Sequence, residues 1–332
     1  MTPRTRISEH LVRAYADRKV IVLGASGFIG RWVAWALTEA GARLTLLVRA
    51  PDQSRRLFDR LGINGEIRQL DLRDLGAVEA AFHQVRPTVT FNLAGYGVDR
   101  SERDPEEAHF LNTDLVGVLC RIVTGVADDW QGLQLIHAGT ALEYGMATGD
   151  LNEDTPPEPT TLYGRSKLAG THAVQRACRE SGLRASVARL FTVYGPGEHQ
   201  GRLFPALIRA ARTRQPLPLT AGHQLRDFTY VEDVAAGLMR LGAVAEASGQ
   251  VVNLATGKLL SVLDFALQTA QVLRLDERLL KFGQLPVRGE EMAHNPANIN
   301  RLTTLTGWRP PADIQSGVER TLARIGCGRD ST

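Results

Sequence analysis

Cysteine is scarce in this chain. Only Cys120, Cys178 and Cys327 occur in 332 residues, widely separated, with no CxxC pair and no Cys/His cluster. That excludes a disulfide framework, leaves no ground for a metal site, and suits a reducing, cytoplasmic setting. Long apolar runs are missing too. No run approaches the length needed to span a bilayer, and the opening MTPRTRISEHLVRAYADRK lacks the apolar core of a signal peptide. Lysine is almost absent: Lys19, Lys167, Lys258 and Lys281 are the whole set. The arginines are scattered among acids, giving a net charge of +3, without the basic block that tracks a phosphate backbone. Neither a membrane nor a nucleic acid is therefore an expected partner.

What remains is an ordinary soluble composition, 43% hydrophobic and 23% charged. At roughly 150 residues per domain the length allows about two domains. Short apolar runs at 20–23, 44–48, 66–70, 89–93, 133–136 and 186–190 alternate with helical patterns. Val33, Ala36, Leu37 and Ala40 mark one such helix, and Gly41 is its expected stop. Alternation of this kind predicts βαβ units, and hence an α/β fold with a doubly wound parallel sheet of the Rossmann type. Residues 1–18 read as a short leading helix or arm. Pro/Gly-rich stretches at 152–161 and 195–201 read as loops. After Gly195 the pattern loosens into a smaller mixed α/β C-terminal region, ending in a helix after GWRPP (307–311). The expected division is 1–192 with 224–258 for the dinucleotide, and 193–223 with 259–328 for the substrate.

Two motifs carry chemistry. Gly24-Ala-Ser-Gly27-Phe-Ile-Gly30 follows a strand and opens a helix, the place of a dinucleotide fingerprint. Its glycines serve the tight turn, the approach of backbone to pyrophosphate, and close helix–strand packing. The helix N-terminus then offers N–H groups to the phosphates. About 20 residues on, where an acid would select a ribose 2′-hydroxyl, stands Arg49. A guanidinium there pairs with a 2′-phosphate, so NADP(H) is the expected cofactor, with NAD(H) open through Asp52. The second motif is Tyr163-Gly-Arg-Ser-Lys167. Four residues apart on a helix, the two side chains share a face about 6 Å apart. A phenol titrates near about 10, and a neighbouring ammonium lowers that value, which makes the tyrosine an acid/base candidate.

GASGFIG, NLAGYG (92–97), GTALEYG (139–145), YGRSK (163–167), RLFTVYGPGE (189–198) and RDFTYVEDVA from Arg226 occur in order. Together they resemble the extended short-chain dehydrogenase/reductase family, in its group of nucleotide-sugar epimerases, dehydratases and 4-ketoreductases. The resemblance implies that Thr140 hydrogen-bonds the reacting sugar oxygen beside Tyr163, and that Lys167 also holds the nicotinamide ribose. It places Asp71 and Leu72 at the adenine, and Ser26, Phe28, Ile29, Leu93, Ala94, Gly95 and Leu190 along the cofactor. It puts Tyr96, Thr192 and Leu203 at the sugar nucleotide, with Arg226 and Arg288 on its diphosphate; a structural ion pair is the alternative for each arginine. A homodimer is implied as well, through helices at about 108–127 and 162–181. Leu115, Val118, Leu119 and Ile122 are the apolar residues expected to supply a second buried face.

Departures from the family pattern narrow the reaction. Dehydratases of this group place acids directly after the threonine, where this chain has Ala141 and Leu142. Glu143 comes one position later, and continued strand alternation would turn it away from Thr140. The loop cysteine of the fucose-synthase type of epimerase is absent. The family's asparagine before the phosphate-binding loop is Thr192, and that of its NxxGT helix is Asp114. His137 reads as a core residue, since Tyr163 fills the acid/base role. His199 is open between substrate contact and a solvated loop, and Trp308 is expected to pack the last helix. The resulting expectation is NADPH-dependent reduction of an NDP-4-keto-6-deoxyhexose at C4. A nucleotide-sugar C4-epimerase is the alternative.

Overall fold

The run KVIVL forms β1 (Lys19–Leu23), whose last four residues are fully buried. A strand buried on both faces belongs in the middle of a covered parallel sheet. In the computed structural model, which describes residues 7–98, 102–126, 130–147, 149–286 and 295–326, β1 lies there. Parallel to it on one side runs β2 (Arg43–Val48), then β3 (Glu66–Gln69). On the other side come β4 (Val89–Asn92), β5 (Leu135–Thr140), β6 (Ala185–Leu190) and an edge strand, Val251–Leu254. The order is thus Val251–Leu254, β6, β5, β4, β1, β2, β3. The expected runs are all strands, but β5 begins two residues late and continues to Thr140.

Alternation along β1 sends Val20 and Val22 to one face and Ile21 and Leu23 to the other. The first face carries α1 (Glu9–Tyr15) and α2 (Phe28–Glu39), with Phe58 from α3 (Pro51–Leu61). The second carries α4 (Leu75–Val85). The helix expected over 108–127 is broken. It consists of α5 (Pro105–His109), a π-helical turn Phe110–Asp114, and α6 (Leu115–Gly125). An extra residue in a helical turn re-aims a side chain. Here it turns Asn112 fully inward. Beside α6 on the same face lies α7 (Leu162–Ser181).

A third core sits apart from the sheet. Tyr194, Phe204, Phe228 and Phe265 pack there, the last two stacked with ring centroids 4.0 Å apart. It draws on α8 (Leu203–Thr213), the short parallel pair Thr192–Tyr194 and Phe228–Tyr230, and on helices further along the chain. Between these come α9 (Val231–Gly242), packed on α2, and then α10 (Val262–Leu273) and α11 (Asn300–Thr306). The last helix, α12 (Ile314–Gly326), returns to α9: Arg320 pairs with Glu232 and Asp233, and Arg324 with Glu232. Among the described residues no helix is long and apolar enough to cross a membrane, and no cluster of His, Cys, Asp or Glu could hold a metal ion.

Candidate active site

The sheet reverses its winding between β1 and β4, and ligands of open α/β sheets bind beyond the strand ends at such a point. There the chain leaves β1 through Gly24, at φ +73°. A Cβ at Gly24 would lie 2.8 Å from the Ala94 nitrogen and the Leu93 carbonyl, and one at Gly30 would drive into the Gly24 carbonyl. Bare backbone therefore lines a cradle into which α2 opens, and no side chain caps the N-terminus of that helix at Gly27. Arg31 braces the loop from behind: its Nε donates to the Gly27 carbonyl at 2.9 Å and its Nη2 to the Ser26 carbonyl at 2.8 Å. Pairing of β2 with β3 brings Arg49, Asp71 and Leu72 to the same edge, with Arg49 and Asp71 exposed.

The second half of the site hangs on β5 and α7. Thr161 caps α7, its hydroxyl accepting the Gly164 N–H at 3.0 Å. This sets Tyr163 in the first turn and Lys167 one turn later, on one face. Lys167 is buried, and its Nζ donates to the Ala138 carbonyl at 3.1 Å. Loop 93–97 joins the two halves. A Cβ at Gly95 would lie 3.0 Å from Lys167 Nζ, and one at Gly97 would lie 3.2 Å from the Tyr163 ring. Thr140 ends β5, and the strand does not continue. A 3₁₀ turn, Ala141–Glu143, follows and swings Glu143 back, so that its Oε1 accepts the Thr140 N–H at 2.9 Å. The expectation that Glu143 faces away from Thr140 is thereby corrected, because it assumed a strand where the backbone turns.

A glycine cradle opening a helix, a threonine at the end of β5 and a Tyr/Lys pair on the next helix thus stand at neighbouring strand ends, linked through loop 93–97. The family model described as NAD dependent epimerase/dehydratase matches residues 20–255. This chain belongs to that family. It is 28% identical to a dTDP-glucose 4,6-dehydratase of Neisseria meningitidis serogroup B, over 92% of each chain. It is 30% identical to a dTDP-6-deoxy-L-talose 4-dehydrogenase (NAD(P)(+)) of Kitasatospora kifunensis, over 73% of this chain and 75% of that protein. Among solved structures, a UDP-glucuronic acid 4-epimerase from Bacillus cereus, in complex with UDP-glucuronic acid and NAD, superposes with a TM-score of 0.79. The two are 25% identical, with 93% of this chain and 99% of that one covered. The chain is thus an enzyme of the extended short-chain dehydrogenase/reductase type.

Electrostatics in this member of the family follow from burial. Desolvation disfavours whichever form is charged. It lowers the Lys167 ammonium to about 8, with Glu143 opposing the fall. It raises the Tyr163 phenol, with Glu143 and Glu102 adding to the rise and Arg202 opposing it. The expected lowering of the phenol by Lys167 is not what this structure shows, because the ammonium turns to the Ala138 carbonyl and stands 6.0 Å from the phenol ring centre. His137 is fully buried, with Nδ1 3.1 Å from Asn92 Nδ2, and burial and then Lys167 push its imidazole well below the ordinary value. It is a neutral core residue.

Other expected site residues lie on further elements. Leu190 ends β6, buried, and Thr192 donates its N–H to the Asp227 carbonyl at 3.0 Å. Leu203 opens α8. Arg226 lies in a two-residue strand paired with Leu260–Ser261. Arg288 falls outside the described residues. Tyr96 is tied by its main chain to Asn112, whose Oδ1 accepts the Tyr96 N–H at 3.1 Å and whose Nδ2 donates to the Tyr96 carbonyl and to Ser166 Oγ. Reading the sequence missed Asn112. Asp114 occupies the motif position, but the π turn brings the asparagine two residues earlier into the interior. Arg31 and Arg189 were missed as well. The only signal for Arg31 was its place directly after GFIG, and for Arg189 a charge inside an apolar strand.

Proposed function

We propose that this enzyme reduces an NDP-4-keto-6-deoxyhexose at C4, using NADPH. The turn after Thr140 carries the reading. Ala141 is buried and Leu142 half-buried, so no acid stands where a dehydratase of this group would need one, while a hydroxyl, a phenol and an ammonium suited to carbonyl chemistry are present in Thr140, Tyr163 and Lys167. Glu143 does not substitute, because both its oxygens are engaged in hydrogen bonds. A relative named as a C4 dehydrogenase of a 6-deoxysugar nucleotide, at 30% identity, supports the same reading.

The glycine cradle fits a dinucleotide, since side chains at Gly24 or Gly30 would fill it. When bound, the nicotinamide supplies a hydride. Tyr163, held protonated by its surroundings, gives a proton to the ketone oxygen, so that C=O becomes CH–OH. Thr140 donates a hydrogen bond to the same oxygen, and Lys167 holds the ribose. Arg49, exposed just beyond β2, pairs with the 2′-phosphate and favours NADPH over NADH. Residues 1–192 and 224–258 hold the cofactor, and 193–223 with 259–328 hold the sugar nucleotide. The enzyme works as a homodimer in a reducing, cytoplasmic setting, which suits the free thiols of Cys120 and Cys178.

Likeness to a UDP-glucuronic acid 4-epimerase favours a second reading, C4 epimerisation. One experiment separates the two. Purified protein is mixed with NADPH or NADH and a panel of NDP-4-keto-6-deoxy sugars, and nicotinamide absorbance and product stereochemistry are followed. Stoichiometric consumption of NADPH, faster than of NADH, is the expected result. Interconversion of C4 epimers of an unreduced NDP-sugar without net cofactor change would assign the epimerase instead.

A further inference from the structure

Glu143 has no exposed surface, and its carboxylate is held from three elements. Oε1 accepts the Thr140 N–H at 2.9 Å. Oε2 accepts the Thr171 hydroxyl of α7 at 3.0 Å and the Arg189 Nε–H of β6 at 2.9 Å. Gly139 makes room for it: a Cβ there would lie 2.7 Å from Oε1. Arg189 is itself buried, and its guanidinium lies 4.4 Å over the Tyr144 ring, whose hydroxyl donates to Asn253 Oδ1 at 2.7 Å. A buried ion pair is seldom more stabilising than apolar side chains of the same volume. This one is bonded to the main chain of Thr140, a residue that would contact the substrate.

We propose that Glu143 is a positioning residue: it locks the main chain of Thr140 so that the hydroxyl faces the reacting oxygen, and its charge, paired with Arg189 of β6, also favours the Lys167 ammonium one helical turn before Thr171 on α7. The role rests on the reductase reading for its chemistry, but its electrostatic half can be read without any sugar. The other titratable groups around it are Tyr163 on α7, His137 on β5, Arg189 on β6 and Tyr144, with Glu102 and Arg202 near the phenol. His137 is neutral and the phenol is held up, so the groups that titrate near neutrality are Lys167, at about 8, and Glu198 beside Arg202, at about 7, and only the first is tied to the Glu143 cluster.

Affinity for the reduced cofactor, followed by its fluorescence, is expected to fall in wild type as Lys167 loses its proton near pH 8. Glu143 opposes that loss, so Glu143→Gln is expected to move the fall to lower pH by about 1 unit. With a turned-over ketosugar, kcat is expected to drop roughly 10- to 100-fold with KM within about 3-fold, because orientation rather than binding is lost. Glu143→Asp keeps the charge and shortens the reach. It should leave the pH limb within about 0.3 unit of wild type while kcat falls about 10-fold. If Glu143→Gln does not fold, this variant decides by itself. An unmoved limb in Glu143→Gln, an equal displacement in Glu143→Asp, or wild-type kcat in Glu143→Asp would overturn the proposal. If wild type reduced none of the ketosugars while the limb still moved as expected, the reductase reading alone would fail.

Discussion

Tyr163 and Lys167 stand on one face of α7, yet burial moves their protons apart, holding the phenol protonated and easing the ammonium toward neutrality. A phenol that keeps its proton is a donor, which is what ketone reduction asks of it. Tyr163→Phe is expected to lower turnover by about 10²–10⁴ while reduced-cofactor binding, read by fluorescence, stays close to wild type. Glu198 shows the same desolvation on a carboxyl. It is buried in the loop before α8, with Oε2 lacking a hydrogen-bond partner among the described residues, and is pushed up to about 7 despite Arg202 3.5 Å away. Its native form binds a proton more tightly than the unfolded chain does. It therefore contributes stability at low pH that is lost as pH rises through about 7. Denaturant midpoints at about pH 5 and about pH 8 should differ less in Glu198→Gln than in wild type.

At the scale of elements, the loop from β1 to α2 tolerates no added atoms. Gly30 faces backbone, and backbone cannot yield as a flexible side chain can. Gly30→Ala is expected to abolish dinucleotide binding and to cost about 1–3 kcal/mol, read as a lower denaturant midpoint. Gly62→Ala is the control. Its φ of +69° is strained for alanine, but no atom lies within 4 Å, so about 1 kcal/mol is lost with cofactor affinity unchanged. The π turn shows what periodicity misses. Apolar spacing through residues 108–127 predicts one continuous helix, and one extra residue in a turn barely alters that spacing. Yet the insertion is what aims Asn112 at Tyr96 and Ser166.

Across the whole molecule, α12 fastens the third core to α9 and α2. Arg320 spans Glu232 and Asp233, both almost fully buried, and Arg324 lies 4.2 Å over Trp35 on α2. Trp32, one turn earlier on that helix, donates to the Pro196 carbonyl at 2.8 Å, reaching the loop that carries Glu198. Arg320→Ala would leave two carboxylates buried with too few partners, and a loss of about 3–5 kcal/mol in chemical denaturation is expected. The proposed homodimer would keep only Val118 of the four residues the sequence suggested. Leu115, Leu119 and Ile122 are consumed by the chain's own core. The outer faces of α6 and α7 instead present Gly117, Val118, Arg121, Ala169 and Arg176 around a shallow concavity. Small residues let helices approach closely, so light scattering at micromolar concentration should give a mass near two chains, and Ala169→Arg should reduce it to one.

The parallel sheet and six of its strands, the glycine cradle at the end of β1 and the Tyr/Lys spacing on α7 were legible in the sequence, whereas the edge strand Val251–Leu254 was not. Each depends on local covalent chemistry: burial on both faces selects continuous apolar runs, only glycine fits a loop closed by backbone, and four residues make one helical turn. What the tertiary structure decided is where each polar group spends its charge. Glu143 was expected to face away from Thr140 by strand alternation and is instead fully buried and bonded to the Thr140 N–H, because the backbone turns where the strand pattern would have run on. Lys167 looked like the partner that lowers a phenol, and it is turned to a main-chain carbonyl in a setting dry enough to bring its own proton near release. Protonation depends on how much water and which distant charges surround a group. Those neighbours come from β5, β6 and α7 together, so spacing along any one segment cannot reveal them.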